Sequence, residues 1–389
     1  MSEWKEYKIK NITSRITSGG TPKSSEASYY DGTIPWLNTK EINFNRITKT
    51  ERYITEEGLN NSSAKWIPKG SVIIAMYGAT AAKVAYSLID LTTNQACCNL
   101  IIDEDKANSQ FIYYYIQSSY EELLNLACGA AQQNLSVGVI GDFPIYLPPL
   151  DEQKRIASIL SSLDDKIDLL NRENTTLEAM AETLFRQWFI EEAKEDWEES
   201  TIEMYANHYK ESINPQKQPT TMFWHYSIPA FDNGKKPMDE MGEEIQSSKY
   251  IIPSNCILFS KLNPHKDKRV WLILDNVSTN AICSTEFQIV KPKEKEYLYF
   301  LYGWLTNKEN YEEIASGVGG TSGSHQRIDP KSIFTFACPY VNIDVIHEYN
   351  KVVEPLFLKQ RENQKQIIIL TEQRDRLLPK LMSNDINIK

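Results

Sequence analysis

Apolar residues recur through the middle of the chain at steps of four and three: Ile156, Leu160, Leu163, Ile167, Leu170, Leu177, Ala181, Leu184 and Trp188, with Asn174 the polar position on the stripe. This is a heptad seam held over several repeats, and it predicts one long helix over 151–190. Pro148 and Pro149 close what precedes, and Asp151 and Glu152 suit the positive end of a helix dipole. At 1.5 Å per residue such a helix spans roughly 50–60 Å, and with a single apolar stripe it needs a partner. The pattern returns at Tyr349, Val353, Leu356, Gln360, Asn363, Ile367, Leu370, Arg374 and Leu377. A second long helix is therefore expected over 345–380. Pro355 falls inside it and either kinks the helix or marks its first turn.

Arg172-Glu173-Asn174 recurs as Arg361-Glu362-Asn363, a shift of 189 residues (172 to 361). Both asparagines lie on the seam, where an Asn costs stability but specifies register. The chain reads as two copies of one plan, a globular module followed by a long helix.

The modules are expected at 1–150 and 191–344, with an acidic, solvated linker over 191–200. In the first, a short helical start (Trp4, Tyr7, Ile9, Ile12) leads to Thr17-Ser18-Gly19-Gly20-Thr21-Pro22-Lys23. That loop is either a structural turn or a phosphate or base contact through Lys23. Strands are expected at Ile34–Leu37, Ser71–Met76, Lys83–Tyr86 and Ala96–Ile102, then an aromatic-rich helix from Phe111 to Cys128 and an amide-rich loop, Gly129 to Ser136. In the second, Ile252–Phe259 matches Ile67–Ile74, Thr279–Cys283 matches Thr93–Cys97, Tyr297–Trp304 matches the aromatic helix, and Ser316–Ile328 matches the amide-rich loop. The halves differ most in Lys261–Arg269, which is strongly basic.

Composition narrows the classes. The net charge of −10 excludes binding to nucleic acid by bulk charge, though not through local basic surfaces. No apolar run reaches the length of a membrane span, and Met1-Ser2-Glu3-Trp4-Lys5-Glu6 begins no secretory signal, so a cytoplasmic protein is expected. The six cysteines show no Cys-x-x-Cys spacing and read as reduced core thiols. There is no Walker loop, no Gly-x-Ser-x-Gly, no His-Glu-x-x-His and no Gly-x-Gly-x-x-Gly after a strand. The sole Pro-Pro, at 148–149, lacks the amide and aromatic neighbours of an amino-methyltransferase loop. No catalytic site and no metal site are expected.

The loops are instead rich in side chains that position on phosphates and read base edges. Candidate DNA contacts are Thr21, Lys23, Tyr77, Lys83, Gln132, Gln133 and Asn134 in the first module. In the second they are Lys261, Asn263, Lys266, Lys268, Arg269, His325, Gln326 and Arg327. Two similar modules with different loops suit two unlike half-sites on a duplex. A coiled-coil protein-interaction scaffold without DNA binding is the competing reading; it predicts no salt-dependent DNA affinity.

Pro148-Pro149-Leu150-Asp151-Glu152-Gln153 leading into a long helix, after a module with Ser18-Gly19-Gly20-Thr21-Pro22 and Ile34-Pro35-Trp36-Leu37, resembles the specificity subunit of type I restriction–modification systems. Leu377-Leu378-Pro379-Lys380-Leu381-Met382-Ser383 resembles the end of that family's chains, whereas the second helix entry is reduced to Cys338-Pro339-Tyr340. The resemblance implies an α+β architecture of two similar mixed α/β target-recognition domains, related by a pseudo-twofold repeat. Two long antiparallel coiled-coil helices separate them, with Leu160, Leu163, Ile167, Leu170, Asn174, Leu177 and Leu184 facing Leu356, Asn363, Ile367, Leu370 and Leu377. It also implies a non-catalytic prokaryotic subunit that binds double-stranded DNA with a bipartite site and docks two methyltransferase subunits. Restriction subunits would join them. S-adenosylmethionine, ATP and Mg are then expected on the partners and not on this chain.

Overall fold

The computed structural model describes residues 4–128, 134–194, 197–274, 277–319 and 327–383. The chain divides into two compact units, Met1–Leu170 with Lys365–Lys389, and Asn171–Gln364. Each long helix therefore contributes to both units, and neither forms a domain apart from the modules.

The first unit lays down β1 (Lys5–Lys8), α1 (Ile9–Ile12), β2 (Thr13–Ser18), β3 (Tyr30–Leu37), β4 (Asn45–Ile47), β5 (Arg52–Ile54) and α2 (Glu56–Asn60). Then follow β6 (Val72–Ala75), β7 (Val84–Ser87), β8 (Thr92–Thr93), β9 (Cys97–Ile102), α3 (Ser109–Ser118), α4 (Tyr120–Cys128), α5 (Val137–Asp142), β10 (Pro144–Leu147) and α6 (Leu150–Arg186). The central sheet runs β2-β9-β6-β7-β4, and β5-β3-β8 forms a second, smaller sheet. β6 is an unbroken apolar run because both its faces are covered. The expected helical start is instead strand β1, paired antiparallel with β10, and a single turn of helix. Four residues with exposed side chains gain more from pairing an open strand than from an isolated helical turn. The aromatic helix is broken at Ser119 into α3 and α4.

The second unit repeats the order. It runs β11 (Glu199–Thr201), α7 (Ile202–Tyr205), β12 (Ala206–Tyr209), β13 (Ser212–Ile213), β14 (Met222–Tyr226), α8 (Ile228–Asp232), β15 (Met238–Met241) and β16 (Lys249–Ile251). β17 (Cys256–Ser260), β18 (Val270–Ile273), β19 (Ala281–Cys283), β20 (Phe287–Pro292), α9 (Leu298–Thr306) and α10 (Lys308–Ser316) follow. The unit closes with β21 (Val318–Gly319), β22 (Arg327–Ile328), α11 (Pro330–Phe334), β23 (Ala337–Pro339) and the start of α12 (Ile343–Met382). Its sheet β12-β20-β17-β18 matches β2-β9-β6-β7, and β11–β23 matches β1–β10. The expected solvated linker is thus partly structural, with Glu199–Thr201 in a strand and the Trp197 ring 6.1 Å from that of Phe189.

One expected correspondence is shifted. Ala281–Cys283 runs parallel to β14, with Trp224 opposite Ala281, as Thr92–Thr93 runs parallel to β3, with Trp36 opposite Thr92. β19 therefore matches β8, and the counterpart of the strand from Cys97 is β20 from Phe287. The shared Thr-Asn dipeptide marks a turn, and which strand follows is set by hydrogen bonding across the sheet.

The helix boundaries agree with the heptad pattern. α6 continues through a π-helical turn over Gln187–Glu191. α12 begins at Ile343, so Pro355 lies in its interior on an exposed face and does not mark its start. A proline there removes one backbone donor and crowds the preceding turn. Pro355→Ala is expected to stabilise the second unit by up to about 3 kcal/mol, read as a higher denaturation midpoint; an unchanged or lower midpoint would contradict this.

On the seam, Leu160 and Leu170 are buried, whereas Leu163, Ile167, Leu177, Leu184, Leu356, Ile367, Leu370 and Leu377 are half-buried. Asn363 is fully buried: its Nδ2 donates to Asn174 Oδ1 at 3.0 Å and to Glu173 Oε2 at 2.9 Å, while Gln360 Nε2 donates to the Asn174 carbonyl at 3.0 Å. The two asparagines of the repeated tripeptide therefore meet. In the first unit Asp164 on α6 takes Tyr114 Oη at 2.5 Å and Arg374 of α12 at 2.9 Å.

Candidate nucleic-acid interface

In the first unit's sheet β2, β9, β6 and β7 alternate in direction, so one edge collects the end of β2, the start of β9, the end of β6 and the start of β7. The loops at this edge are tied together by backbone bonds. Met76 N–H donates to the Ala96 carbonyl at 2.8 Å, Leu135 N–H to the Met76 carbonyl at 2.8 Å, and Tyr77 bridges Asn134. Thr21 hydroxyl bonds the Gln95 side chain. Thr21, Gln95, Tyr77 and Asn134 thus lie along one hydrogen-bonded line. Lys83 opens β7 at the same edge, its Nζ 2.7 Å from Asn43 Oδ1 and 5.8 Å from the Phe44 ring. Lys23 is exposed and paired with Glu26 at 3.1 Å. Gln132 and Gln133 lie outside the described residues.

The Gly19-Gly20 turn has a steric reason. A Cβ on Gly19 would sit 2.1 Å from the Thr93 carbonyl oxygen, and one on Gly20 would sit 2.2 Å from Ala64 N. Trp36 Nε1 donates to the Gly20 carbonyl at 2.9 Å. These glycines let two backbones touch and hold Thr21 over the edge, which favours the structural-turn reading of the loop.

The second unit builds the same edge from the end of β12, the start of β20, the end of β17 and the start of β18. Lys261 N–H donates to the Glu286 carbonyl at 3.0 Å, Ile328 N–H to the Lys261 carbonyl at 3.1 Å, and Leu262 bridges Arg327, as Tyr77 bridges Asn134. Arg327 forks onto Glu286 through Nε at 3.1 Å and Nη2 at 2.7 Å. Asn263 adopts a left-handed backbone (φ 47°) and receives the Lys266 N–H at 3.0 Å. Lys266 is exposed. Lys268 bonds the Thr306 carbonyl and lies 6.0 Å over the Tyr311 ring. Arg269 is held by both oxygens of Asp232, at 2.7 and 2.8 Å, and by Asp267 at 2.8 Å, so this guanidinium braces the loop. His325 and Gln326 lie outside the described residues.

Sequence reasoning missed Gln95 and Glu286, which stand at the starts of β9 and β20. Short turns before apolar strands could have pointed to them. It also missed the acids that hold Arg269 and Arg327. Asp267 is two residues from Arg269, but Asp232 and Glu286 are distant in sequence from their arginines and become neighbours only in the fold.

Among the described residues no group of three or more His, Cys, Asp and Glu could hold a metal. Cys97, Cys98, Cys256, Cys283 and Cys338 are free and buried. Burial pushes the thiols of Cys98 and Cys256 up to about 12, so they stay protonated and inert. His208 in β12 is pushed down to about 4 by burial and by Lys210, so it is neutral at pH 7 and adds no positive charge beside Lys261. Among the described residues no helix is long and apolar enough to cross a membrane.

Comparison with known proteins agrees with this architecture. Residues 1–179 match the family of the type I restriction modification DNA specificity domain. The chain is 27% identical to the type I restriction enzyme MjaIX specificity subunit of Methanocaldococcus jannaschii, covering 100% of this chain and 94% of that one. It is 30% identical to the EcoR124I/EcoR124II specificity subunit of Escherichia coli over 44% of this chain and 42% of that one. In fold it is similar to the crystal structure of the type I S subunit from M. genitalium, with a TM-score of 0.61 at 16% identity over 100% of this chain and 97% of that one. With residues 1–179 matching a specificity domain and a relative aligned along its whole length, this chain is similar to the specificity subunits of type I restriction–modification systems.

Proposed function

We propose that each module reads one half of a bipartite duplex site through the sheet edge described above. The two long helices set the gap between the half-sites and dock two methyltransferase subunits. The observation that carries this reading is that two modules of one plan place unlike polar loops at the same sheet edge. The first presents Thr21, Tyr77, Lys83 and Asn134; the second presents Lys261, Lys266 and Arg327. A shared scaffold with different readers suits two unequal half-sites.

The chain acts without catalysis of its own. S-adenosylmethionine belongs to the modification subunits, and ATP and Mg to restriction subunits that join the assembly. The complex works in the cytoplasm of a prokaryote.

The test is to co-express the chain with its cognate methyltransferase subunits and map adenine methylation across a genome. A split motif methylated on both strands across a fixed gap is the expected result. A stable complex that methylates nothing new and shows no salt-dependent DNA affinity would favour a protein-only scaffold. Within the same assay, Lys266→Ala is expected to weaken binding equally on all sequences and to lower the salt slope by about one, as loss of a phosphate contact does. A change confined to one base pair would instead make Lys266 a base reader.

A further inference from the structure

Two arginines at the second unit's edge are held by carboxylates, but differently. Arg269 gives its donors to Asp232 and Asp267, and its side chain is only 11% exposed. Arg327 gives one Nε hydrogen and one Nη2 hydrogen to Glu286, and half of its side chain remains open while Glu286 is 23% exposed. A guanidinium has five N–H donors. Three therefore remain on Arg327, and the Nη1–Nη2 end presents two side by side, the spacing that meets guanine O6 and N7. Each Glu286 oxygen keeps acceptor capacity, which suits the N4 amino group of the paired cytosine. Arginine and glutamate together offer two donors and an acceptor, the complement of a G·C pair in the major groove.

A phosphate contact fits this pair poorly. Glu286 cancels the charge of Arg327 and would itself repel a phosphate. The pair is also anchored at both ends by backbone: Lys261 N–H bonds the Glu286 carbonyl, and Ile328 N–H bonds the Lys261 carbonyl. The fork thus stands on two strand ends, and the long side chain of Arg327 loses less freedom when it meets a base.

We propose that Glu286 is a positioning residue that orients Arg327 to read one G·C pair in the half-site bound by the second module. This rests on the DNA-reading function proposed above. It adds the base pair and the residue that makes the reading specific.

The experiment uses the full chain assembled with its methyltransferase subunits. Wild-type methylation mapping first defines both half-sites. Binding is then measured on duplexes in which each base pair of each half-site is replaced in turn. For Arg327→Lys, which keeps the charge but loses the fork, discrimination should fall roughly ten- to a hundredfold at one G·C pair of one half-site. Glu286→Gln should relax the same position while the salt slope holds or steepens, a split that simple loss of structure would not give. Thermal melts of both variants should match wild type, and if Glu286→Gln melts low, Arg327→Lys alone decides. Uniform weakening on every duplex, relaxation at an A·T pair, or unchanged discrimination in both variants would each overturn the proposal. A wild-type complex that yields no motif would overturn the DNA-reading function itself and is distinguishable from these outcomes.

Discussion

Arg374→Leu is expected to destabilise the first unit by about 3–5 kcal/mol, the usual cost of stranding one member of a buried ion pair. Asp164 is 5% exposed and accepts from Arg374 Nη1 at 2.9 Å and from Tyr114 Oη at 2.5 Å. Burial alone would pull the Arg374 guanidinium down, but Asp164 and Asp375 hold it above its ordinary value. Burial, and then Asp164, push the Tyr114 phenol well above its usual range, so it stays a donor. Without Arg374 the carboxylate keeps only that phenol, and one neutral donor does not offset the desolvation of a charge. Combining Arg374→Leu with Asp164→Asn should recover most of the loss, since the amide needs no cation. Chemical denaturation of the two single variants and the double variant measures this. A loss below about 1 kcal/mol for Arg374→Leu, or strict additivity in the cycle, would mean that the pair does not hold α12 to α6 in this unit.

Gly303→Ala is expected to destabilise the second unit by about 1–3 kcal/mol or more, although alanine is the better helix former. Helix α9 is buried from Leu298 to Leu305 and packs its Gly303 face on Phe185 of α6. A Cβ at 303 would lie 2.1 Å from Phe185 Cδ2. Phe185 cannot easily withdraw: it is 1% exposed, with Phe189, Trp304, Phe300 and Tyr349 rings at 5.3, 6.0, 6.4 and 6.4 Å. Either the ring leaves its rotamer or the helix moves off α6. Phe185→Leu alone should cost stability by leaving space, and adding it to Gly303→Ala should cost less than the sum. If Gly303→Ala proved neutral or stabilising in a thermal melt, the close approach of α9 to α6 would be wrong.

How much of this was legible beforehand differs by element. The heptad seams needed only spacing, and the repeated Arg-Glu-Asn pointed to the Asn174–Asn363 contact that the structure contains. Phe185 and Phe189 escaped the heptad reading because they lie one step off the stripe, on a face of α6 that packs on α9 as well as on Tyr349 of the partner helix. Pro355 looked like a boundary because helix propensity argues against it there. Packing on both sides, with Val353 and Phe357 buried, carries α12 through it. The candidate site was legible as loop chemistry only. The sequence shows that Lys261, Arg269 and Arg327 are cations; it does not show that Arg269 is spent on Asp232 while Arg327 stays half open.

By itself, then, the sequence determined what depends on local periodicity and on repetition along the chain. That covers two modules, two long helices, asparagines in register and loops suited to nucleic acid. Only the tertiary structure decided which side chains share an edge. Strand order brings residues 21 and 95, 77 and 134, and 286 and 327 together across long separations. Hydrogen bonding across a sheet is indifferent to those separations, so no pattern along the chain encodes them.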